Sequence, residues 1–102
     1  MPTLYKFNFC CAKCGLVNHV TYRVPETSGV WSKLTCKGCE RPLISIMLLR
    51  IDHGIIFNDI HYYYKVYDDS RDRYLLGAEN DSVKRDVFWN WVVDHGGDRF
   101  ED

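Results

Sequence analysis

Two cysteine pairs, Cys11-Ala12-Lys13-Cys14 and Cys36-Lys37-Gly38-Cys39, constrain this chain more than any other feature. Each pair sets two sulfurs on one tight turn, and the 21 residues between them let the chain double back and bring the turns together. A d¹⁰ ion such as Zn²⁺ takes four ligands tetrahedrally, so two such turns fill its shell. The spacing therefore predicts one structural Zn²⁺ held by Cys11, Cys14, Cys36 and Cys39, with no coordination position left for water. Five cysteines, an odd number, suit ligation in a reducing compartment better than a secreted disulfide framework.

The 102 residues, 46% apolar and 15% aromatic, are enough for one domain with its own core. No apolar run reaches membrane-spanning length, and Met1-Pro2-Thr3-Leu4-Tyr5 lacks the basic and apolar regions of a signal peptide. A soluble cytoplasmic protein is expected, or a nuclear one if the source is eukaryotic. Leu4–Phe9 and Leu16–Val24 read as strands on either side of the first cysteine turn, with Val20, Tyr22 and Val24 on one face. After the turn signal Pro25–Gly29, Val30–Thr35 leads as a third strand into the second pair. Leu43–Ile51 is too apolar for a strand with one wet face and is expected to be central and buried. Ile55–Tyr67 continues the meander, and Tyr74–Leu76 adds a short edge strand. Ser82–His95 reads as the one helix, capped by Asn80, Asp81 or Ser82, with Val83, Val87, Phe88, Trp91, Val92 and His95 on its apolar stripe and Gly96-Gly97 as the stop. The expected class is α+β: mostly antiparallel β, a ribbon-like part at residues 4–42, then a β-meander and a C-terminal amphipathic helix packed on the sheet over residues 43–102.

Strand, C-x₂-C-Gly, strand, turn, strand, C-x₂-C over Phe9 to Pro42 resembles the zinc-ribbon or rubredoxin-like group, about a third of the chain. The resemblance implies that the four cysteines are the ligands and that Gly15 closes the first knuckle. It also implies a binding or scaffolding role of the kind ribbons play in transcription factors, polymerase subunits and adaptors. Glu40 stands where the group often has glycine, and Gly38 is expected to relieve that backbone constraint instead. Rubredoxins hold iron on similar pairs. The segment between the pairs is shorter here and their proline-containing second knuckle is absent, although thiolate ligation alone does not separate zinc from iron.

Cys10 reads as a small buried hydrophobe on the face opposite Cys11, and His19 as an exposed strand histidine beside the site. His53, His61 and His95 lack ligand spacing. No G-x-S-x-G, Walker glycine loop or H-E-x-x-H motif is present, and a closed four-cysteine site offers no catalytic water, so no enzymatic activity is expected. Charge divides along the chain. Residues 1–50 carry seven Lys or Arg against two Glu, and residues 51–102 carry six against twelve acids.

Two functional readings follow. In the first, a zinc-stabilised module acts in nucleic-acid transactions or as a subunit of a transcription-type complex. Lys13, Arg23, Lys33, Lys37 and Arg41 then contact phosphates, and Tyr22 and Trp31 stack on bases. In the second, a small inhibitor of the viral or mobile-element kind imitates nucleic acid and engages a basic host protein through Asp59, Asp68, Asp69 and Asp72 with Tyr63 and Tyr67.

Overall fold

A computed structural model describes residues 3–52 and 60–101. In chain order the elements are β1 (Thr3–Cys10), β2 (Val17–Arg23), β3 (Trp31–Thr35), β4 (Pro42–Asp52), β5 (Ile60–Asp68), β6 (Arg73–Leu76), β7 (Val83–Lys84), α1 (Arg85–Asp94) and β8 (Asp98–Glu101). The strands form two antiparallel sheets, β2-β1-β8 and β3-β4-β5-β6, with β7 attached to β5. The expected α+β class, mostly antiparallel with one helix, is the class found. Each sheet draws strands from both sides of residue 42: β3 pairs with β4, and β8 returns to β1.

Period-2 alternation builds the inner faces. Tyr5, Phe7 and Phe9 of β1 are buried while Lys6, Asn8 and Cys10 face out, and Asn18, Val20 and Tyr22 of β2 point inward opposite them. The register Tyr5↔Tyr22, Phe7↔Val20, Phe9↔Asn18 keeps the two inward rows side by side. In β4 the consecutive residues Leu43, Ile44, Ser45 and Ile46 are all buried, because both faces are covered there, but the expected burial of Leu43–Ile51 stops short of its end: Met47 and Leu49 are half-buried and Ile51 is exposed. Ile44, Ile46 and Leu48 share one face with Tyr64 and Val66 of β5, and a single buried cluster joins both sheets to the helix. The segment expected to begin β5 at Ile55–Phe57, and with it His53 and Asp59, lies outside the described residues.

Helix α1 closes the core with Phe88 and Val92, both fully buried. The Phe88 ring stacks on Tyr64 at 4.2 Å and meets Tyr5 edge-on at 4.9 Å, while Trp91 packs edge-on against Phe7 at 5.1 Å. Burying a side chain of that size contributes about 1.5–3 kcal/mol.

The helix starts three residues later than its periodicity predicts. Val83 and Lys84 pair with Tyr64 and Tyr63, so the open backbone edge of β5 claims the first expected turn. Asp81 accepts the Ser82 N–H in the preceding turn, and the actual N-cap, Lys84, provides no side-chain cap. Val87, expected on the inward stripe, is 43% exposed, because a helix of ten residues presents only Phe88 and Val92 fully to the sheets.

Strand β8 is absent from the sequence reading, since Asp98-Arg99-Phe100-Glu101 shows no apolar alternation. The helix end places it. The Asn8 N–H donates to the His95 carbonyl at 3.0 Å and the Gly97 N–H to that of Val92 at 3.0 Å, laying the chain along the free edge of β1. A Cβ at Gly97 would run into the Lys6 carbonyl, so the approach needs a residue without a side chain.

Candidate metal centre

The two cysteine turns sit at the same end of two hairpins, one joining β1 to β2 and the other β3 to β4. Their backbones repeat each other. The Cys11 N–H donates to the Leu16 carbonyl at 2.9 Å and the Gly15 N–H to that of Cys11 at 2.7 Å. In the second turn the Cys36 N–H donates to the Arg41 carbonyl at 2.9 Å and the Glu40 N–H to that of Cys36 at 3.0 Å. Both knuckles end on a left-handed residue, Gly15 at φ 78° and Glu40 at φ 60°. Gly38 therefore does not relieve the second knuckle, as the sequence reading expected. Glu40 itself bears the left-handed conformation, at a steric cost glycine would avoid. Gly38 has a different task. A Cβ there would lie 2.9 Å from Leu16 Cδ2 and 3.4 Å from the Cys14 sulfur, so Gly38 is where the second knuckle packs against the first.

Closure brings the four Sγ atoms of Cys11, Cys14, Cys36 and Cys39 within 4.8 Å of one another, with Cys11–Cys39 at 3.7 Å and Cys14–Cys36 at 3.5 Å. Four sulfurs placed tetrahedrally around an ion at the usual zinc–thiolate bond length of about 2.3 Å are about 3.8 Å apart. The donor set thus fits a single ion of that size.

Donors already point at the sulfurs. The Gly38 N–H and Asn18 Nδ2 reach Cys36 Sγ at 3.3 and 3.4 Å. The backbone N–H of Cys39 and the Asn18 amide hold the Cys36 thiol down at about 6, which favours the thiolate a metal requires. The Cys14 thiol is pushed up to about 11: its backbone contact with Leu16 acts downward, but the neighbouring sulfur of Cys36 and burial outweigh it.

Asn18 is the functional residue the sequence reading passed over. It is buried on β2 and links both knuckles: Nδ2 also donates to the Leu16 carbonyl at 3.2 Å, and Oδ1 accepts the Lys37 N–H at 2.9 Å. An amide on the inward row of a strand, four residues after a ligand, was the available signal. The turn after β5 braces the same end. Asp68, fully buried, accepts from Ser70 Oγ at 2.6 Å, the Ser70 N–H at 3.0 Å and Arg71 Nη1 at 2.8 Å, and the Arg71 guanidinium lies 6.0 Å from the centre of the Phe9 ring.

Cys10 faces away from Cys11, but its side chain is exposed and not buried, because the outer face of β1 is open there. His19 is exposed and hydrogen-bonds Asn8, and His95 packs on Trp91 at the helix end. Lys13, Lys33, Lys37 and Arg41 are exposed on or beside the knuckles, whereas Arg23 lies at the far end of β2, opposite Leu4. None of the five is in an ion pair among the described residues. Tyr22 is buried against Tyr5 and Phe88 and offers no face to a base, while Trp31 is half-buried on the outer face of β3.

On the acidic side, burial removes Asp68 from the surface. Asp69 accepts a hydrogen bond from Ser45 at 2.6 Å, and Asp72 accepts one from Tyr67, which pushes that phenol up to about 12. Tyr63 is half-buried on β5. Set against protein-family models, curated proteins and solved structures, the chain matches none of them, so the centre is characterised by its own geometry.

Proposed function

We propose that the protein is a non-enzymatic, zinc-stabilised binding module that holds single-stranded nucleic acid on the knuckle end and the outer face of the second sheet. The four-thiolate set favours Zn²⁺ as a closed structural ion. One observation carries the rest. Trp31 and Lys33 occupy the same face of β3, the Trp31 ring lies 6.4 Å from that of Tyr74, and Tyr74 lies 5.0 Å from Tyr67. Three neighbouring rings give bases a surface on which to stack, and Lys33, Lys37, Lys13 and Arg41 give phosphates their counter-charges. With a sequence pI of about 6.4 the attraction is local to this end, not a property of the whole chain. The acidic-face alternative draws less support, because Asp68 is buried and bonded to Arg71, Asp69 accepts from Ser45 of β4 and Asp72 from Tyr67.

Fluorescence anisotropy with labelled single-stranded DNA and RNA, over a range of salt, tests this reading. Lys33→Glu/Lys37→Glu is expected to weaken binding at least tenfold and to flatten the salt slope by about 1.4, at roughly 0.7 per lost phosphate contact. Trp31→Ala is expected to cost about 1–3 kcal/mol of affinity. Absence of binding at low salt, or binding indifferent to both charge reversals, refutes it.

A further inference from the structure

Among the described residues, the first sheet ends on β2 and β8 and the second on β3 and β6. An open strand edge is a template for pairing with another chain, and proteins blunt it with shortness, charge, proline or a bulge. Three of these edges are blunted. β8 and β6 span four residues each, β8 with Asp98, Arg99 and Glu101 and β6 with Arg73. β3 carries Lys33, and its register shifts between Leu34 and Thr35. β2 has no such protection along its middle: its seven residues pair with β1 without a shift, contain no proline and carry their one fixed charge, Arg23, at the last position.

The register shows which backbone groups stand open. The Cys11 N–H bonds the Leu16 carbonyl and the Val24 N–H bonds that of Thr3, in each case the residue that the register places directly opposite. Hydrogen-bonded pairs alternate along an antiparallel ladder, so Asn18, Val20 and Tyr22 direct their backbone groups to β1, while Val17, His19, Thr21 and Arg23 turn theirs to the free edge. The same parity sends Asn8 of β1 the other way, where its N–H donates to the His95 carbonyl. None of the open residues of β2 has a backbone partner on that edge among the described residues. Their side chains are exposed as well, Val17 at 53%.

We propose that β2 is a dimerisation edge, on which a second copy of this chain lays its own β2 antiparallel about a two-fold axis at Val20. Val17 then stands opposite Arg23 of the second copy and His19 opposite its Thr21, so every open N–H on either strand meets an open carbonyl. Parity allows the strands to slide only in steps of two. A step either way sets Arg23 against Gly15 in the knuckle or Val17 against Pro25, both outside the strand. The register centred on Val20 is thus the one in which β2 matches itself over its whole length. Charge agrees with it: at about 3.4 Å per residue the two Arg23 positions lie about 20 Å apart along the strands, beyond the screening length of about 8 Å at physiological salt. The pairing uses β2 alone, so it stands apart from the reading given to the knuckle surface.

Sedimentation velocity of the metal-loaded full chain over a range of concentrations, without nucleic acid, tests this together with amide hydrogen exchange. A monomer–dimer equilibrium is expected, with the amides of Val17, His19, Thr21 and Arg23 gaining protection as the dimer forms. Val17→Lys, at an exposed position, sets like charges opposite each other at both ends of the pairing and should weaken the dimer roughly tenfold. Val17→Lys/Arg23→Glu sets opposite charges there and should restore the affinity to within about threefold of the parent. Within one copy residues 17 and 23 stand at opposite ends of β2, so the rescue reports contact between copies. A chain that stays monomeric at millimolar concentration overturns the proposal and leaves the edge to a different partner. So does a dimer whose β2 amides exchange as fast as in the monomer, or one indifferent to Val17→Lys. Exchange in the unaltered protein decides the matter even if a variant folds poorly.

Discussion

Replacing Asn18 tests whether the two knuckles are held as one unit before any ion arrives. The side chain is 3% exposed and makes three contacts: Nδ2 to the Leu16 carbonyl and to Cys36 Sγ, and Oδ1 from the Lys37 N–H. A neutral hydrogen bond contributes about 1 kcal/mol net, and a buried group stranded by truncation costs about 1–3 kcal/mol. Lys37 and Leu16 are themselves exposed, so water recovers part of that loss. Asn18→Ala should therefore destabilise the metal-loaded protein by about 2–3 kcal/mol and, as a change behind the ligands, lower metal affinity by roughly 10- to 100-fold. Asn18→Asp keeps the shape and the acceptor for Lys37 but turns a negative oxygen toward the Leu16 carbonyl and the Cys36 sulfur. Its metal affinity should fall further than that of Asn18→Ala. Urea unfolding followed by tryptophan fluorescence, with chelator competition for the metal, reads both quantities. If Asn18→Ala unfolds within about 0.5 kcal/mol of the parent and releases metal no more readily, the reasoning fails, because surface substitutions have effects of that size.

The knuckles give a paired prediction: Gly15→Ala should cost about 1 kcal/mol, whereas Glu40→Gly at the equivalent left-handed position should be neutral or stabilising, and a clear loss on Glu40→Gly in thermal unfolding would contradict the equivalence. In the helix, Phe88→Ala should destabilise by about 3–5 kcal/mol while Val87→Ala stays within about 0.5 kcal/mol; similar losses at both positions in urea titrations would mean the helix docks on a different face. Asp68→Ala should cost about 1–3 kcal/mol, since it strands the buried Ser70 donors while the exposed Arg71 returns to water; an unchanged unfolding midpoint would return Asp68 to the surface.

The four-cysteine cluster was legible because C-x₂-C is a local pattern: the backbone of one tight turn decides where both sulfurs point. The inward rows of β1 and β2 were legible through period 2, and the buried first half of β4 through its apolar run. What escaped depends on residues distant in the chain. Strand β8 exists because the helix end delivers Asp98 to the free edge of β1, and nothing in Asp-Arg-Phe-Glu announces it. Val83 and Lys84 had helical spacing, but the edge of β5 offered backbone partners before the helix could begin. Asn18 looked like an ordinary polar strand residue until Lys37, nineteen positions on, came within reach.

The central claim is that Cys11, Cys14, Cys36 and Cys39 hold one structural zinc on which folding depends. Elemental analysis of the purified protein, combined with X-ray absorption at the metal edge, tests it most directly. One zinc per chain is expected, with four sulfur neighbours at about 2.3 Å. Cys10→Ser should retain that zinc, whereas serine at any of the four ligands should lose it together with several kcal/mol of stability, because ion binding and folding are coupled. A cooperatively folded chain without metal contradicts the claim outright, and stoichiometric iron on the same four sulfurs replaces a structural centre with an electron-transfer one.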